Sequence, residues 1–157
     1  MFRDITTLLK DPKGLQLMVD GLAEQYVIKK IDKIVGIEAR GFVIGAAVAY
    51  KLGLGFVPIR KSGKLPAETL GQIYALEYGS DTMEIHKDAI TTGESVLLID
   101  DLIATGGTAL AAVSLIEQLG GKIAGCAFVI DLPDLGGMQR LQQLGLPTYA
   151  LCQFEGE

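Results

Sequence analysis

Two adjacent carboxylates precede a loop of small residues in this chain. Asp100 and Asp101 follow the apolar run at residues 96–99, and residues 104–108 read Ala-Thr-Gly-Gly-Thr. The loop leads into an apolar segment with helical spacing, so its backbone amides would lie at the positive end of a helix. Such amides bind phosphate, and glycine lets a phosphate approach the backbone closely. Because neighbouring carboxylates can accept hydrogen bonds from sugar hydroxyls or hold hydrated Mg²⁺, the segment predicts a sugar-phosphate site.

The same loop argues against two common nucleotide-binding motifs. It lacks the glycine-lysine pair of the P-loop NTPases and the three-glycine fingerprint of dinucleotide-binding domains. In the phosphate loop Thr105 and Thr108 would supply hydroxyl donors, and one of them can cap the helix. An ordinary helix start with solvent-exposed acids has a similar local sequence. Local pattern alone leaves both the phosphate site and the ordinary helix start open.

Basic residues follow two other predicted strands. Arg40 comes after the first strand, and Arg60, Lys61 and Lys64 come after the second, in a chain whose formal net charge is −5. A basic loop beside a phosphate site would stabilise a pyrophosphate leaving group, on which negative charge builds as its bond breaks. The alternative is that Arg40 caps a surface turn and that individual lysines serve only solubility.

The elements that position these residues alternate between strands and helices. Apolar runs predict strands at residues 33–37, 56–59, 96–99, 123–130 and 148–154. Helical spacing predicts helices at residues 12–26, 41–52, 108–119 and 138–144. This order predicts an α/β fold with a mostly parallel sheet covered on both faces, and such sheets bind ligands at the carboxyl ends of their strands.

A β-hairpin interrupts this alternation. Residues 72–78 and 82–86 have extended character, and we expect Gly79-Ser80-Asp81 to form the turn between them. The hairpin comes between the second and third predicted strands of the sheet.

Composition narrows the class of protein. With 157 residues, 49% of them hydrophobic and 21% charged, the sequence predicts one globular domain spanning residues 1–157. The longest apolar stretch, residues 41–50, is about half of a membrane span, and the acidic balance disfavours nucleic-acid binding. Cys126 and Cys152 both lie in apolar runs, as expected of buried thiols in a reducing compartment. We therefore expect a cytoplasmic protein with neither a membrane nor a nucleic-acid partner.

The complete string at residues 96–108 resembles the phosphoribosyl-pyrophosphate binding motif of the type I phosphoribosyltransferases. Four apolar residues, two acids and then Ala-Thr-Gly-Gly-Thr stand in the order of that motif. The resemblance implies the type I phosphoribosyltransferase fold, with a flexible β-hairpin flap and a small N-terminal hood. It also implies that Asp100 and Asp101 face the ribose hydroxyls, and that the 5′-phosphate is held by Ala104, Thr105, Gly106, Gly107 and Thr108.

Further segments, in the same order along almost the whole chain, resemble the adenine phosphoribosyltransferases within that family. They are Phe2-Arg3-Asp4-Ile5, Ala39-Arg40-Gly41-Phe42, Arg60-Lys61-Ser62-Gly63-Lys64-Leu65-Pro66 and Leu76-Glu77-Tyr78-Gly79. The resemblance implies conversion of adenine and phosphoribosyl pyrophosphate to AMP and pyrophosphate, with Mg²⁺ carried by the substrate. It also implies a homodimer, because a basic residue of the second loop often reaches the neighbouring subunit's site in related enzymes.

The resemblance also implies roles for individual residues. Glu77 is the candidate catalytic acid/base that exchanges a proton with N7 of adenine, and Tyr78 lies beside it on the flap. Phe2 and Arg3 belong to the segment that holds the adenine by stacking and by backbone contacts. A cis peptide bond is implied at Glu38-Ala39. Pyrophosphate is bound by Ala39, Arg40, Arg60, Lys61 and Lys64.

Two alternatives and one departure from the family accompany this interpretation. The same chemistry could act on xanthine or hypoxanthine, or the fold could serve a non-catalytic regulator that senses phosphoribosyl pyrophosphate. The presence of Glu77 and of the basic loop favours catalysis. Relatives carry a further segment before the position of Met1, so we expect a truncated hood and a base pocket less complete than the phosphate site.

Overall fold

The computed structural model describes residues 5–76 and 78–155. Its helices are α1 (Thr6–Leu9), α2 (Pro12–Glu24), α3 (Arg40–Leu52), α4 (Gly107–Gln118) and α5 (Gly137–Gln143), with a short 3₁₀ helix at Pro133–Leu135. Its strands are β1 (Lys33–Ile37), β2 (Gly55–Lys61), β3 (Thr69–Ala75), β4 (Ser80–His86), β5 (Ser95–Ile103), β6 (Lys122–Asp131) and β7 (Thr148–Gln153).

The strands form one seven-stranded sheet in the order β3-β4-β2-β1-β5-β6-β7. The strands β2, β1, β5, β6 and β7 are neighbours in that order, and each neighbouring pair of them is parallel. By contrast, β4 pairs antiparallel with both β2 and β3. The predicted α/β fold with a mostly parallel sheet is therefore confirmed. The antiparallel hairpin extends the sheet at one edge, beside the strand that carries the basic loop.

Helices cover both faces of the sheet and enclose two apolar cores. One core joins α2 and α3 to the sheet through side chains such as Leu22, Ile44 and Leu97. The other joins α4 and α5 to the opposite face through Leu115 and Phe128, among others. This two-sided burial is the reason that the parallel strands are almost continuously apolar. None of the described helices is long and apolar enough to span a membrane.

Several helix ends follow directly from local sequence chemistry. Asp11 caps α2, since its carboxylate accepts a hydrogen bond from the Gly14 amide at 2.8 Å, and Pro12 occupies the first helical position. Helix α3 ends at Gly53, whose φ of 72° lies in the left-handed region. These features fix the ends of both helices close to the predicted positions.

The hairpin turn lies earlier than the sequence predicts. Ala75 pairs with Ser80, the Leu76 amide donates to the Gly79 carbonyl at 3.0 Å, and Gly79 has a φ of 89°. The predicted turn at Gly79-Ser80-Asp81 is therefore wrong, because Ser80 and Asp81 belong to β4. Gly79 adopts the positive φ that such a turn needs, and Tyr78 lies in the turn instead of the strand.

Strand β5 continues through the paired acids to Ile103, four residues past the predicted end. The extension is stabilised by pairing with β6, in which Ile103 lies opposite Asp131. Helix α4 then begins at Gly107, and its N-cap is Gly106, with no side-chain cap. The expectation that Thr105 or Thr108 caps this helix is wrong, since glycine occupies the capping position with a φ of 89°.

Candidate active site

The carboxyl ends of β2, β1 and β5 lie side by side in the sheet and bring the predicted acids and cations together. Arg40 follows β1 and forms an ion pair with Asp101 on β5, with 2.5 Å between Nε and Oδ2. These two residues are 61 positions apart in the chain. The pair places a guanidinium and two carboxylates at one edge of the sheet.

Glu38 links the loops that follow β1 and β2. Its Oε1 accepts a hydrogen bond from the Lys61 amide at 2.7 Å and lies 3.4 Å from Nε of Arg60. The peptide bond between Glu38 and Ala39 is cis, as the resemblance implies. The Arg60 guanidinium also lies over the Phe42 ring, 5.7 Å from its centroid. These contacts orient the backbone of both loops toward the same edge.

Asp100 is almost completely buried at the start of α3. It is 8% exposed, and a Cβ added to Gly41 would lie 2.8 Å from its Oδ1. Its carboxylate accepts a hydrogen bond from the Asp101 amide. Burial, followed by the charge of Asp101, holds the pKa of Asp100 well above its usual range. Ionisation of Asp100 is therefore less favourable in the folded protein than in the unfolded chain.

We expect Asp100→Asn to stabilise the fold at pH 8 and to have little effect at pH 4. The folded chain binds a proton at Asp100 more tightly than the unfolded chain, so its stability falls as the pH rises above about 4 toward the raised folded pKa. Asparagine does not ionise, so it removes this loss of folding stability at high pH. A gain of about 1 kcal/mol would raise Tm by roughly 2–4 °C in a domain of this size.

Thermal unfolding of both proteins at the two pH values measures this effect. Asp88→Asn is the matched control, because Asp88 is exposed. Equal Tm values for the Asp100→Asn and unmodified proteins at pH 8 would contradict the prediction.

The loop at residues 104–108 has the form required of a phosphate cradle. It joins β5 to the N-terminus of α4, and the Gly106 carbonyl accepts the Leu110 amide at 2.8 Å. Within the part of the chain that the structure describes, no acceptor is bonded to the amides of residues 105–108. Thr105 and Thr108 are exposed, so their hydroxyls are accessible as well. The loop therefore offers consecutive donors to an anion.

A cavity of about 750 Å³ separates this loop from the end of the hairpin. On the hairpin side it is lined by Tyr74, Ala75 and Leu76, and on the opposite side by the loop together with Leu102 and Leu135. A space of this size accommodates a small ligand of several hundred daltons. The hairpin thus lies over the cradle, as a flap must.

A small polar cluster joins the hairpin to α4. The Gln72 side-chain oxygen accepts hydrogen bonds from the Ser114 hydroxyl and the Gln118 amide, both at 3.0 Å. The local sequence gives no sign of this cluster, since Gln72 and Ser114 are 42 positions apart. The contacts hold the middle of β3 against the helix and leave the tip of the hairpin beyond them.

Some predicted site residues are not brought into contact with the others. Tyr78 is 87% exposed at the hairpin tip. Lys61 and Lys64 are exposed, and within residues 5–76 and 78–155 their ammonium groups form no ion pair. Phe2, Arg3 and Glu77 lie outside the described residues. Their predicted roles stay predictions from sequence.

The structure also adds Gly137 and Arg140 to the surroundings of the phosphate loop. The Gly137 amide donates to the Ala104 carbonyl at 2.9 Å, and Nη1 of Arg140 donates to the Thr105 carbonyl at 2.7 Å. The pair Gly136-Gly137 was the available sequence signal, because paired glycines permit close backbone approach. Nothing in the local sequence indicated which loop they would approach.

Comparison with known proteins agrees with this geometry. The family model described as "Phosphoribosyl transferase domain" matches residues 5–141. An adenine phosphoribosyltransferase of Nitrosospira multiformis is 65% identical over 156 residues, which are 99% of this chain and 89% of that protein. That of Methylobacillus flagellatus is 66% identical over 154 residues, covering 98% and 88% of the two chains.

Solved structures give the same result. The crystal structure of adenine phosphoribosyltransferase from Rhodothermus marinus superposes with a TM-score of 0.93 at 49% identity, covering 98% of this chain and 87% of that one. The Saccharomyces cerevisiae enzyme, solved with an imino-altritol bisphosphate and adenine, gives 0.88 at 43% identity, covering 96% and 86%. The chain therefore belongs to the phosphoribosyltransferase family, within the branch of the adenine phosphoribosyltransferases.

Proposed function

We propose that this chain is a purine salvage enzyme that converts adenine and phosphoribosyl pyrophosphate into AMP and pyrophosphate. The observation that carries the proposal is the cavity of about 750 Å³ between the phosphate loop and the hairpin. The paired acids on β5 lead directly into that loop. The high identity to proteins named adenine phosphoribosyltransferase favours adenine as the base.

Charged groups of both signs lie together at the edge of the sheet, and both signs suit the proposed reaction. In the proposed reaction the bond from the ribose to pyrophosphate breaks, leaving positive charge on the sugar and negative charge on the leaving group. Asp100 and Asp101 would face the sugar, where the Asp101 carboxylate would supply negative charge, and Arg40, which pairs with Asp101, would supply positive charge toward pyrophosphate. The backbone at Ala39 and the side chain of Arg60 would also contact pyrophosphate. Fixed charges of both signs would stabilise the transition state more than the ground state.

Substrate binding would begin with the 5′-phosphate on the loop at residues 104–108. The amides of that loop and the hydroxyls of Thr105 and Thr108 would donate to the phosphate oxygens. Mg²⁺ would arrive with phosphoribosyl pyrophosphate as part of the substrate complex. The adjacent carboxylates of Asp100 and Asp101 are of the type that, with substrate phosphates, holds this ion.

The base would lie between the hairpin and the N-terminal segment. Glu77 would exchange a proton with the adenine ring, and Phe2 and Arg3 would hold the base. Tyr78 at the exposed tip would move with the flap as it closes. Closure excludes water, which would otherwise capture the reactive sugar.

A homodimer is part of the proposal. The exposed side of α3 presents Val43, Ala46 and Tyr50 at helical spacing, with Val43 51% and Tyr50 89% exposed. An apolar stripe of this kind suits a second copy of the chain. The exposed Lys61 and Lys64 would then be available to reach pyrophosphate in the neighbouring site. Cys126 is buried, but Cys152 is exposed, so the expectation of a buried thiol is wrong for Cys152. Both thiols are free, which supports a cytoplasmic location.

Incubating the protein with Mg²⁺, phosphoribosyl pyrophosphate and one purine base at a time tests the function. We expect AMP and pyrophosphate in equal amounts with adenine, and little nucleotide with hypoxanthine or xanthine. Faster turnover of hypoxanthine or xanthine than of adenine would instead indicate a phosphoribosyltransferase for that base. Binding of phosphoribosyl pyrophosphate without turnover of any base would instead indicate a sensor. Reactions with EDTA are the control for the role of Mg²⁺.

A further inference from the structure

The first turn of α5 packs directly against the phosphate loop. The Gly137 amide donates to the Ala104 carbonyl at 2.9 Å. A Cβ on Gly137 would lie 2.6 Å from that carbonyl oxygen and 2.7 Å from the Gly106 nitrogen. No side chain larger than hydrogen fits between the two backbones without a shift. The loop therefore rests on α5 as well as on its own helix.

Arg140 makes the second contact between α5 and the loop. Its Nη1 donates to the Thr105 carbonyl at 2.7 Å, across 35 positions of the chain. The residue is exposed, so its guanidinium adds nothing to the apolar core. A hydrogen bond from a charged donor to a carbonyl is stronger than one between neutral groups. The side chain is thus placed on the loop backbone and on no other described acceptor.

These two carbonyls determine where two loop amides point. In a trans peptide the C=O and the next N–H lie in one plane and point in opposite directions. The Ala104 carbonyl shares its peptide with the Thr105 amide, and the Thr105 carbonyl shares its peptide with the Gly106 amide. Holding both carbonyls toward α5 turns both amides away from α5. Donation to a carbonyl also polarises its peptide and strengthens the amide as a donor.

We propose that Arg140 is a positioning residue for the 5′-phosphate of the substrate. By holding the Thr105 carbonyl, Arg140 orients the Gly106 amide toward the phosphate in the loop. The inference rests on the proposed function, since it assigns the loop to the 5′-phosphate of phosphoribosyl pyrophosphate and AMP. It predicts that loss of Arg140 weakens the binding of ligands that carry that phosphate and leaves the binding of adenine and pyrophosphate unchanged.

The test compares Arg140→Met with Arg140→Lys. We expect Arg140→Met to raise KM for phosphoribosyl pyrophosphate about tenfold, as for loss of a charge-assisted hydrogen bond, while kcat changes less than about threefold. AMP binding measured by calorimetry should weaken by a similar factor. KM for adenine, and for pyrophosphate in the reverse reaction, should stay unchanged. Arg140→Lys keeps a cationic donor and should recover most of the affinity.

Gln139→Met is the matched control, because Gln139 is the exposed neighbour on the same helix. Its KM values, its kcat and its affinity for AMP should equal those of the unmodified protein. An unchanged KM for phosphoribosyl pyrophosphate in Arg140→Met would overturn the proposal, and so would an equal loss of affinity for pyrophosphate.

Salt dependence distinguishes positioning from simple attraction. If Arg140 acts only as a distant positive charge on the phosphate, its contribution should disappear in about 0.5 M salt, where the Debye length is only a few ångströms. If Arg140 positions the loop, KM for phosphoribosyl pyrophosphate stays about tenfold higher in Arg140→Met than in the unmodified protein at that salt concentration. An unmodified protein that forms no AMP would refute the proposed function, yet AMP calorimetry on the variants would still decide the role of Arg140.

Discussion

Glu77→Gln is expected to lower kcat for AMP formation by about 10²–10⁴-fold, the range typical of losing a general acid or base. Glutamine keeps the shape of the side chain but exchanges no proton with the adenine ring. KM for phosphoribosyl pyrophosphate should change little, since the proposed binding site for that substrate is the loop at residues 104–108. Steady-state rates with adenine and phosphoribosyl pyrophosphate as varied substrates measure both quantities.

Glu68→Gln provides the control for the change of charge. Glu68 is exposed next to the start of β3, so it belongs to the same hairpin region without lining the cavity. Its replacement should leave kcat unchanged. If Glu77→Gln forms AMP at the unmodified rate, Glu77 has no part in proton transfer and its role is confined to the flap.

The neighbouring glycines of the phosphate loop should respond differently to valine. Gly106 has a φ of 89°, and a Cβ there would lie 2.9 Å from the Gly137 Cα, so valine strains the backbone and pushes the loop off α5. A strain of about 1–3 kcal/mol is expected. A Cβ on Gly107 meets only the Ala75 carbonyl at 3.7 Å and points into the space beneath the hairpin. Valine there fits the fold but would occupy the proposed place of the ligand.

We therefore expect both variants to raise KM for phosphoribosyl pyrophosphate by about 10²-fold, because misplaced or blocked groups lose most of their binding contribution. Only Gly106→Val should also lower Tm, by roughly 5 °C. Gly55→Val is the control, since a Cβ on Gly55 meets nothing within 4 Å. Normal substrate affinity in Gly107→Val would show that the ligand does not approach the loop from the hairpin side.

Part of the site is readable from local sequence because its causes are local. The apolar run at residues 33–37 predicts a strand with the observed bounds, and Asp11-Pro12 predicts the observed start of α2. The glycines of residues 104–108 mark a loop between a buried strand and a helix, whatever surrounds them. Hydrophobic periodicity, capping and the conformational freedom of glycine act over a few residues. Short segments of sequence are therefore enough to predict the elements that these effects produce.

The contacts that give the site its shape join residues that are distant in the chain. Arg40 meets Asp101 across 61 positions, Ser114 meets Gln72 across 42, and Arg140 meets the Thr105 carbonyl across 35. The strand order of the sheet and the packing of α5 decide these pairs. A side chain's type shows what it can donate or accept, but only the folded backbone sets which partner comes within hydrogen-bond distance. For that reason the sequence determined the chemistry available at this site, and the tertiary structure determined which groups act together.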